Sequence, residues 1–121
     1  ANKNTGQFFT PFNVSRMSAD LAIPDDYDGS YPIYINEPST GGGGMIIAAA
    51  KTLKEKNINY QKCMRVVAQD LDWKGVYMTF TQLSLLGIDA IVVQGDTLLE
   101  PYTENYPQNR VFRTLRNMGG L

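Results

Sequence analysis

The chain has 121 residues, 43% hydrophobic and 19% charged, which suits one globular domain (residues 1–121) and excludes disordered and fibrous classes. Its net charge of −1, from 11 lysines and arginines against 12 aspartates and glutamates, is not the basic footprint of a stand-alone nucleic-acid binder. With no histidine and one cysteine, Cys63, the composition excludes histidine-based catalysis, a structural zinc site and an internal disulfide.

Read in chain order, Thr10 and Pro11 suit the N-cap and first position of a short helix carrying Val14, Met17 and Leu21. Pro24 and the acidic residues Asp25, Asp26 and Asp28 form a loop, and residues 31–36 (Tyr-Pro-Ile-Tyr-Ile-Asn) read as a strand. The turn Glu37-Pro38-Ser39-Thr40-Gly41-Gly42-Gly43-Gly44 follows directly, and residues 45–56 show helical spacing that closes at Asn57. Residues 64–69 form a second strand. Trp73, Val76, Tyr77, Phe80, Leu83 and Leu86 then make one apolar helical stripe, with Gly87 as its C-terminal stop. Residues 88–94 form a third strand ending at Gly95-Asp96. Strands alternating with helices imply parallel pairing through right-handed crossovers, one βαβαβ half of a doubly wound α/β sheet.

No apolar run reaches the roughly 18 residues that cross a bilayer, and no basic-then-apolar leader opens the chain. A lone cysteine favours a reducing compartment. The expected location is cytoplasmic, with no membrane contact. The chain begins at Ala1 rather than methionine, as expected of a processed or trimmed piece of something longer.

Ligands of such sheets bind outside the carboxyl ends of the strands, which concentrates attention on three places. The glycine run supplies positive φ and close backbone approach. It is not a phosphate loop, because Met45 stands where Lys-Ser/Thr is required, and Ile46 breaks a Gly-x-Gly-x-x-Gly spacing. Its bland alternative is a flexible linker. Asp70 ends the second strand, 27 residues past Gly43, where an acidic side chain accepts from ribose hydroxyls; the alternative makes Asp70 and Asp72 solvated caps of the next helix. Asp96 is placed to accept from an adenine amine, or else is a turn residue after Gly95.

Several blocks carry a resemblance. Gly6-Gln7-Phe8-Phe9-Thr10-Pro11 is similar to the Gly-Gln-Phe-[FY]-Thr-Pro signature of N6-adenine DNA methyltransferases of the type I restriction-modification kind. Residues 37–44 resemble that family's Asp/Glu-Pro-x-Cys-Gly-x-Gly-Gly, with Thr40 in place of Cys. Ala68-Gln69-Asp70 resembles its Gly-Gln-Glu, Gln82-Leu83-Ser84-Leu85-Leu86-Gly87 its Asn-Leu-x-Leu-x-Gly, and Gly95-Asp96-Thr97-Leu98 its Gly-Asp-Thr-Leu. These five blocks stand in the family's order over residues 6–98. The resemblance implies a partial Rossmann-like S-adenosylmethionine-dependent methyltransferase fold with an N-terminal helix, in a restriction-modification or mobile-element setting. The cofactor it implies is S-adenosyl-L-methionine. Phe9 and Thr10 would lie near the methionine end of the cofactor. Glu37, Pro38, Ser39, Gly41 and Gly43 would hold its amino-acid and ribose parts. Asp70 with Leu71 would take the ribose hydroxyls, and Asp96 with Thr97 the adenine. No metal site is implied.

The family's catalytic Asn/Asp-Pro-Pro-Phe/Tyr, which orients the target amine and stacks on the flipped base, is not found in residues 99–121; the nearest text is Asn105-Tyr106-Pro107. No catalytic residue is therefore assigned. Two readings follow: a methyltransferase domain incomplete on its own, acting on DNA through or with a partner subunit, and a non-catalytic cofactor-binding or interaction module. A nicotinamide-dependent oxidoreductase fits worse, because the glycine spacing is wrong and residues 6–11 have no role there. A three-strand parallel sheet leaves an edge, expected to be covered by residues 111–115, by a second copy as a homodimer, or by a methyltransferase partner. Arg110, Arg113 and Arg116 recur at intervals of three, as a solvated face or as contacts to DNA phosphates.

Overall fold

The computed structural model describes residues 23–38 and 43–119. Along them run β1 (Ile33–Glu37), α1 (Gly44–Glu55), the one-turn helix α2 (Tyr60–Cys63), β2 (Met64–Asp70), α3 (Trp73–Leu85), β3 (Asp89–Gln94), a 3₁₀ turn (Gln108–Arg110) and β4 (Val111–Arg113). The helix expected within residues 10–21 lies outside the described residues. The other expected strands and helices are present, with ends moved by a residue or two. The sequence reading did not anticipate α2, and it expected the residues of β4 only as a cover for the sheet edge, not as a strand.

The four strands lie in the order β1-β2-β3-β4. The first three pair in parallel, with Glu37 opposite Ala68 and Asp70 opposite Gln94. This is the partial Rossmann-like α/β arrangement expected from the alternation of elements. Period-two alternation sorts the side chains. Ile33, Ile35, Met64, Val66, Ala68, Ala90 and Val92 face one way and join α1 and α3 in the core. From α1 come Ile46, Ala49, Ala50 and Leu53, the alanines leaving room for close approach to the sheet; from α3 come Val76 and Leu83. The apolar stripe read along α3 is divided. Val76 and Leu83 are fully buried, whereas Trp73 and Tyr77 remain partly exposed.

Each helix starts and stops for a local reason. Asn57 closes α1 in the left-handed conformation (φ 62°), with the amide of Ile58 donating to the Leu53 carbonyl at 3.0 Å. At α3, the Asp72 carboxylate accepts from the Lys74 amide at 2.7 Å. No described helix is long and apolar enough to cross a membrane.

The edge of β3 is covered by the C-terminal segment, one of the three expected solutions. β4 pairs antiparallel, with Val92 opposite Phe112. Phe112 meets the rings of Trp73, Tyr77 and Phe80 of α3, at centroid distances of 6.0, 6.1 and 5.9 Å. Beyond β4, the buried Thr114 hydroxyl donates to the Ile88 carbonyl at 2.6 Å and accepts from the Ala90 amide at 3.1 Å. On the far side, β1 has no strand partner on its outer edge among the described residues.

Thr114→Val keeps the shape but deprives the buried Ala90 amide of its acceptor. A loss of about 2 kcal/mol is expected, since an orphaned buried donor costs its desolvation as well as the bond. The melting temperature should fall by several degrees. An unchanged urea midpoint would show that this tie contributes nothing.

Candidate functional site

Parallel pairing carries the ends of β1, β2 and β3 to one rim of the sheet, and side chains lace the loops that leave them. The Thr97 hydroxyl donates to the Pro38 carbonyl at 2.6 Å, joining the loop after β3 to the turn after β1. The Gly95 amide donates to the Asp70 carbonyl at 2.9 Å, and the Gln94 side-chain amide to the Leu71 carbonyl at 2.8 Å. Six of the residues singled out in the sequence therefore converge: Glu37, Pro38, Asp70, Leu71, Asp96 and Thr97. Gly43 stands at the N-terminus of α1, while Phe9, Thr10, Ser39 and Gly41 lie outside the described residues.

Gly43 is required by its backbone. Its φ is 89°, and a Cβ there would meet Thr79 Cγ2 at 3.5 Å and Leu83 Cδ2 at 3.8 Å, ordinary contacts. Space would admit a side chain; the left-handed conformation is what penalises one, by about 1 kcal/mol.

Asp70 is 6% exposed. One carboxylate oxygen accepts from the Asp72 amide at 2.9 Å, and the other lies so close to Gly75 that a Cβ on that glycine would collide with it. The two aspartates thus divide the roles that the capping alternative gave to both. Asp72 is the cap of α3, and Asp70 is buried beneath it. Asp96 does perform its turn role: Oδ1 accepts from the Leu98 amide at 2.9 Å and from that of Leu99 at 3.4 Å, and its carbonyl accepts from the Glu100 amide at 2.6 Å.

Sequence reasoning missed the groups that hold this rim from behind. Gln69, one position before Asp70, bonds the segment following the Asp96 turn through both ends of its amide. Tyr106 is buried, and its hydroxyl donates to the Gln94 carbonyl at 2.9 Å. That occupation removes Asn105-Tyr106-Pro107 from consideration as a base-stacking motif. The arginine series is corrected too. Arg110 donates twice to the Glu100 carboxylate, at 3.0 and 3.3 Å, Arg113 to Asn117 and Tyr102, and Arg116 to Gln61. All three are half-buried and spent on the protein itself, so they form neither a solvated face nor a free phosphate-binding row. Only the position of Gln69 beside the end of β2 hinted at its role.

A cavity of about 460 Å³ opens on the face of the sheet opposite α1 and α3, between Tyr34, Arg65, Ile91 and Tyr102. Thr97 and Gln69 both line it, so it adjoins the rim at the turn after β3. Among the described residues, no group of three or more acidic or cysteine side chains is placed to hold a metal ion.

The sequence profile described as N-6 DNA Methylase fits residues 1–114. No curated protein matches the chain.

The hydrogen bonds from Arg110 hold the Glu100 carboxyl below its ordinary range. A depressed carboxyl contributes stability that is present above its ordinary pKa and lost as pH falls through the lower, folded value. In an NMR titration, the Arg110 side-chain signals should move only below the pH at which a free glutamate titrates, and Glu100→Gln should abolish that step. A step at the ordinary glutamate pKa would show that the pair does not form.

Proposed function

The chain belongs to the N-6 DNA methylase family, and we propose that it does so as a single domain whose rim binds S-adenosylmethionine. The observation that carries this reading is the tie between Thr97 and Pro38, which brings the turns after β1 and β3 to either side of the end of β2. The chemistry of the rim suits the ligand. Glu37, Asp70 and Asp96 supply acidic acceptors for a cationic molecule that carries two ribose hydroxyls and an amine. The exposed side chains of Leu71 and Leu98 offer apolar surface for a planar base. When bound, the cofactor supplies an activated methyl group.

In this reading Glu37 and the turn to Gly43 hold the amino-acid and ribose parts, with Pro38, Ser39 and Gly41. Asp70, with Leu71, accepts from the ribose hydroxyls, and its burial strengthens those bonds by excluding competing water. Asp96 accepts from the adenine amine beside Thr97, and Phe9 and Thr10 complete the methionine end. The acceptor is the N6 amine of adenine in DNA, in a restriction-modification or mobile-element setting within the cytoplasm.

Methyl transfer also needs Asn/Asp-Pro-Pro-Phe/Tyr, which these 121 residues do not contain. We place it on a strand beyond these 121 residues, of the same polypeptide or of a partner, that pairs beside β1 and brings the DNA, since a net charge of −1 gives these residues little hold on phosphates. A non-catalytic cofactor-binding or interaction module is the second reading. It is favoured by the internal use of Tyr106 and of all three arginines near the C-terminus.

Calorimetric titration with S-adenosylmethionine, followed by a methyl-transfer assay on unmethylated DNA, separates the two. Binding without transfer by the isolated chain is expected, with transfer appearing once the segment carrying the motif is supplied. Asp70→Ala should weaken binding at least tenfold, the value of one charge-assisted hydrogen bond. Unchanged affinity would remove Asp70 from the site.

A further inference from the structure

The segment between β3 and β4, residues 95–110, contains the Asp96–Thr97 turn and no regular structure before its final 3₁₀ turn. The leucines beside the turn do not hold it down: Leu98 is 91% and Leu99 80% exposed. Polar ties from the sheet must therefore fix where Asp96 and Thr97 stand. Two side chains provide most of them.

Gln69 is 3% exposed. Its Nε2 donates to the Glu100 carbonyl at 2.7 Å and to the Tyr106 hydroxyl at 3.3 Å, while its Oε1 accepts from the Tyr102 amide at 3.2 Å. Both ends of one amide are thus spent on three residues of the segment, a pattern that needs a donor and an acceptor on the same side chain. The Tyr106 hydroxyl donates to the Gln94 carbonyl, and its ring lies under the Arg110 guanidinium, 4.8 Å from the ring centre. Gly95 makes the approach possible, because a Cβ there would collide with the Tyr106 hydroxyl and stand 2.9 Å from Gln69 Nε2. The turn is therefore held at its start by the Gly95–Asp70 backbone bond, and at Glu100 by Gln69 and Arg110.

We propose that Gln69 and Tyr106 are positioning residues of the cofactor rim: they touch no ligand, but they set the Asp96–Thr97 turn against Pro38 and Asp70. The proposal rests on the cofactor reading above and adds that the exposed turn of the rim's third wall is placed by a polar clamp. Gln69 is needed as an amide. In Gln69→Glu the shape is kept, but the donor that meets the Glu100 carbonyl becomes an acceptor.

The test uses the full chain in three forms, wild type, Gln69→Glu and Tyr106→Phe, with Thr114→Val as a control that loosens the sheet at a distance from the rim. Two readouts are taken: S-adenosylmethionine affinity by calorimetry, and amide hydrogen exchange of residues 96–102 without ligand. The clamp predicts that Gln69→Glu accelerates exchange of the Glu100 and Tyr102 amides at least tenfold and weakens binding about tenfold. Tyr106→Phe should do both to a smaller extent. Thr114→Val should lower the melting temperature and leave affinity within twofold. If the wild type binds and Gln69→Glu binds equally well, the positioning role is overturned while the cofactor reading stands. Unchanged exchange in Gln69→Glu overturns the clamp itself, whatever the affinity. If the wild type does not bind, the cofactor reading falls and the positioning role falls with it.

Discussion

Parallel pairing of β1, β2 and β3 is the constraint from which the rest of this molecule follows. A chain that runs up one strand and must run up the next needs a long connection between them, and here α1 with α2, and then α3, make those returns. Both long helices load their apolar residues onto the same sheet face, which becomes the core. All three strands end on one rim. The registers of Glu37 with Ala68 and of Asp70 with Gln94 then set which residues share it. A slip of one position would turn Ala68 away from the helices and Gln69 into them, losing the core and the clamp together.

The C-terminal return obeys different physics. β4 is three residues long and is held by Phe112 under the aromatic rings of α3 and by the buried Thr114 hydroxyl. Between β3 and β4 the chain is placed by hydrogen bonds from Gln69, Tyr106 and Arg110. Each such bond contributes only about 1 kcal/mol net, less than a buried leucine does. Their value lies in direction, because an amide that is satisfied on both ends admits few arrangements of its partners. The rim is therefore rigid where the helices stand behind it and depends on polar geometry where the return segment closes it.

Much of this was legible in the sequence, for reasons that differ by element. β2, α3 and β3 announce themselves through local patterns: β-branched runs, apolar residues at helical spacing, and Gly87 as a stop. Gly43 was legible because four glycines after a strand have few other uses. β4 was not, since Val-Phe-Arg is too short for a pattern and its antiparallel partner lies some twenty residues back. Gln69 was read as part of a motif but not as a tie, because its three partners belong to a segment whose path no local rule determines. The same non-locality hid the Arg110–Glu100 pair behind a regular arginine spacing that suggested a surface row. Asp70 was placed correctly at its strand end, but its burial, and the division of work with Asp72, depend on Gly75, whose missing side chain makes room for the carboxylate.

Parallel sheets are ordinarily covered on both faces, and the two sides of this one are unlike. β1 alternates strictly, Ile33 and Ile35 toward the helices, Tyr34 and Asn36 away, and Tyr34 is 77% exposed. On that outer face Arg65 pairs with Asp89 at 3.4 Å, and Asn117 donates to the same carboxylate at 2.8 Å. Val67 and Ile91 lie on the same face, so it mixes apolar side chains with an ion pair, unlike the uniformly apolar face under the helices. The outer edge of β1 is a different kind of surface, a row of backbone donors and acceptors that favours another strand. A strand added parallel to β1 would end on the same rim as Glu37. Residues following it would then stand beside the acidic wall of the candidate site, which makes this edge the one where an added strand would extend that rim.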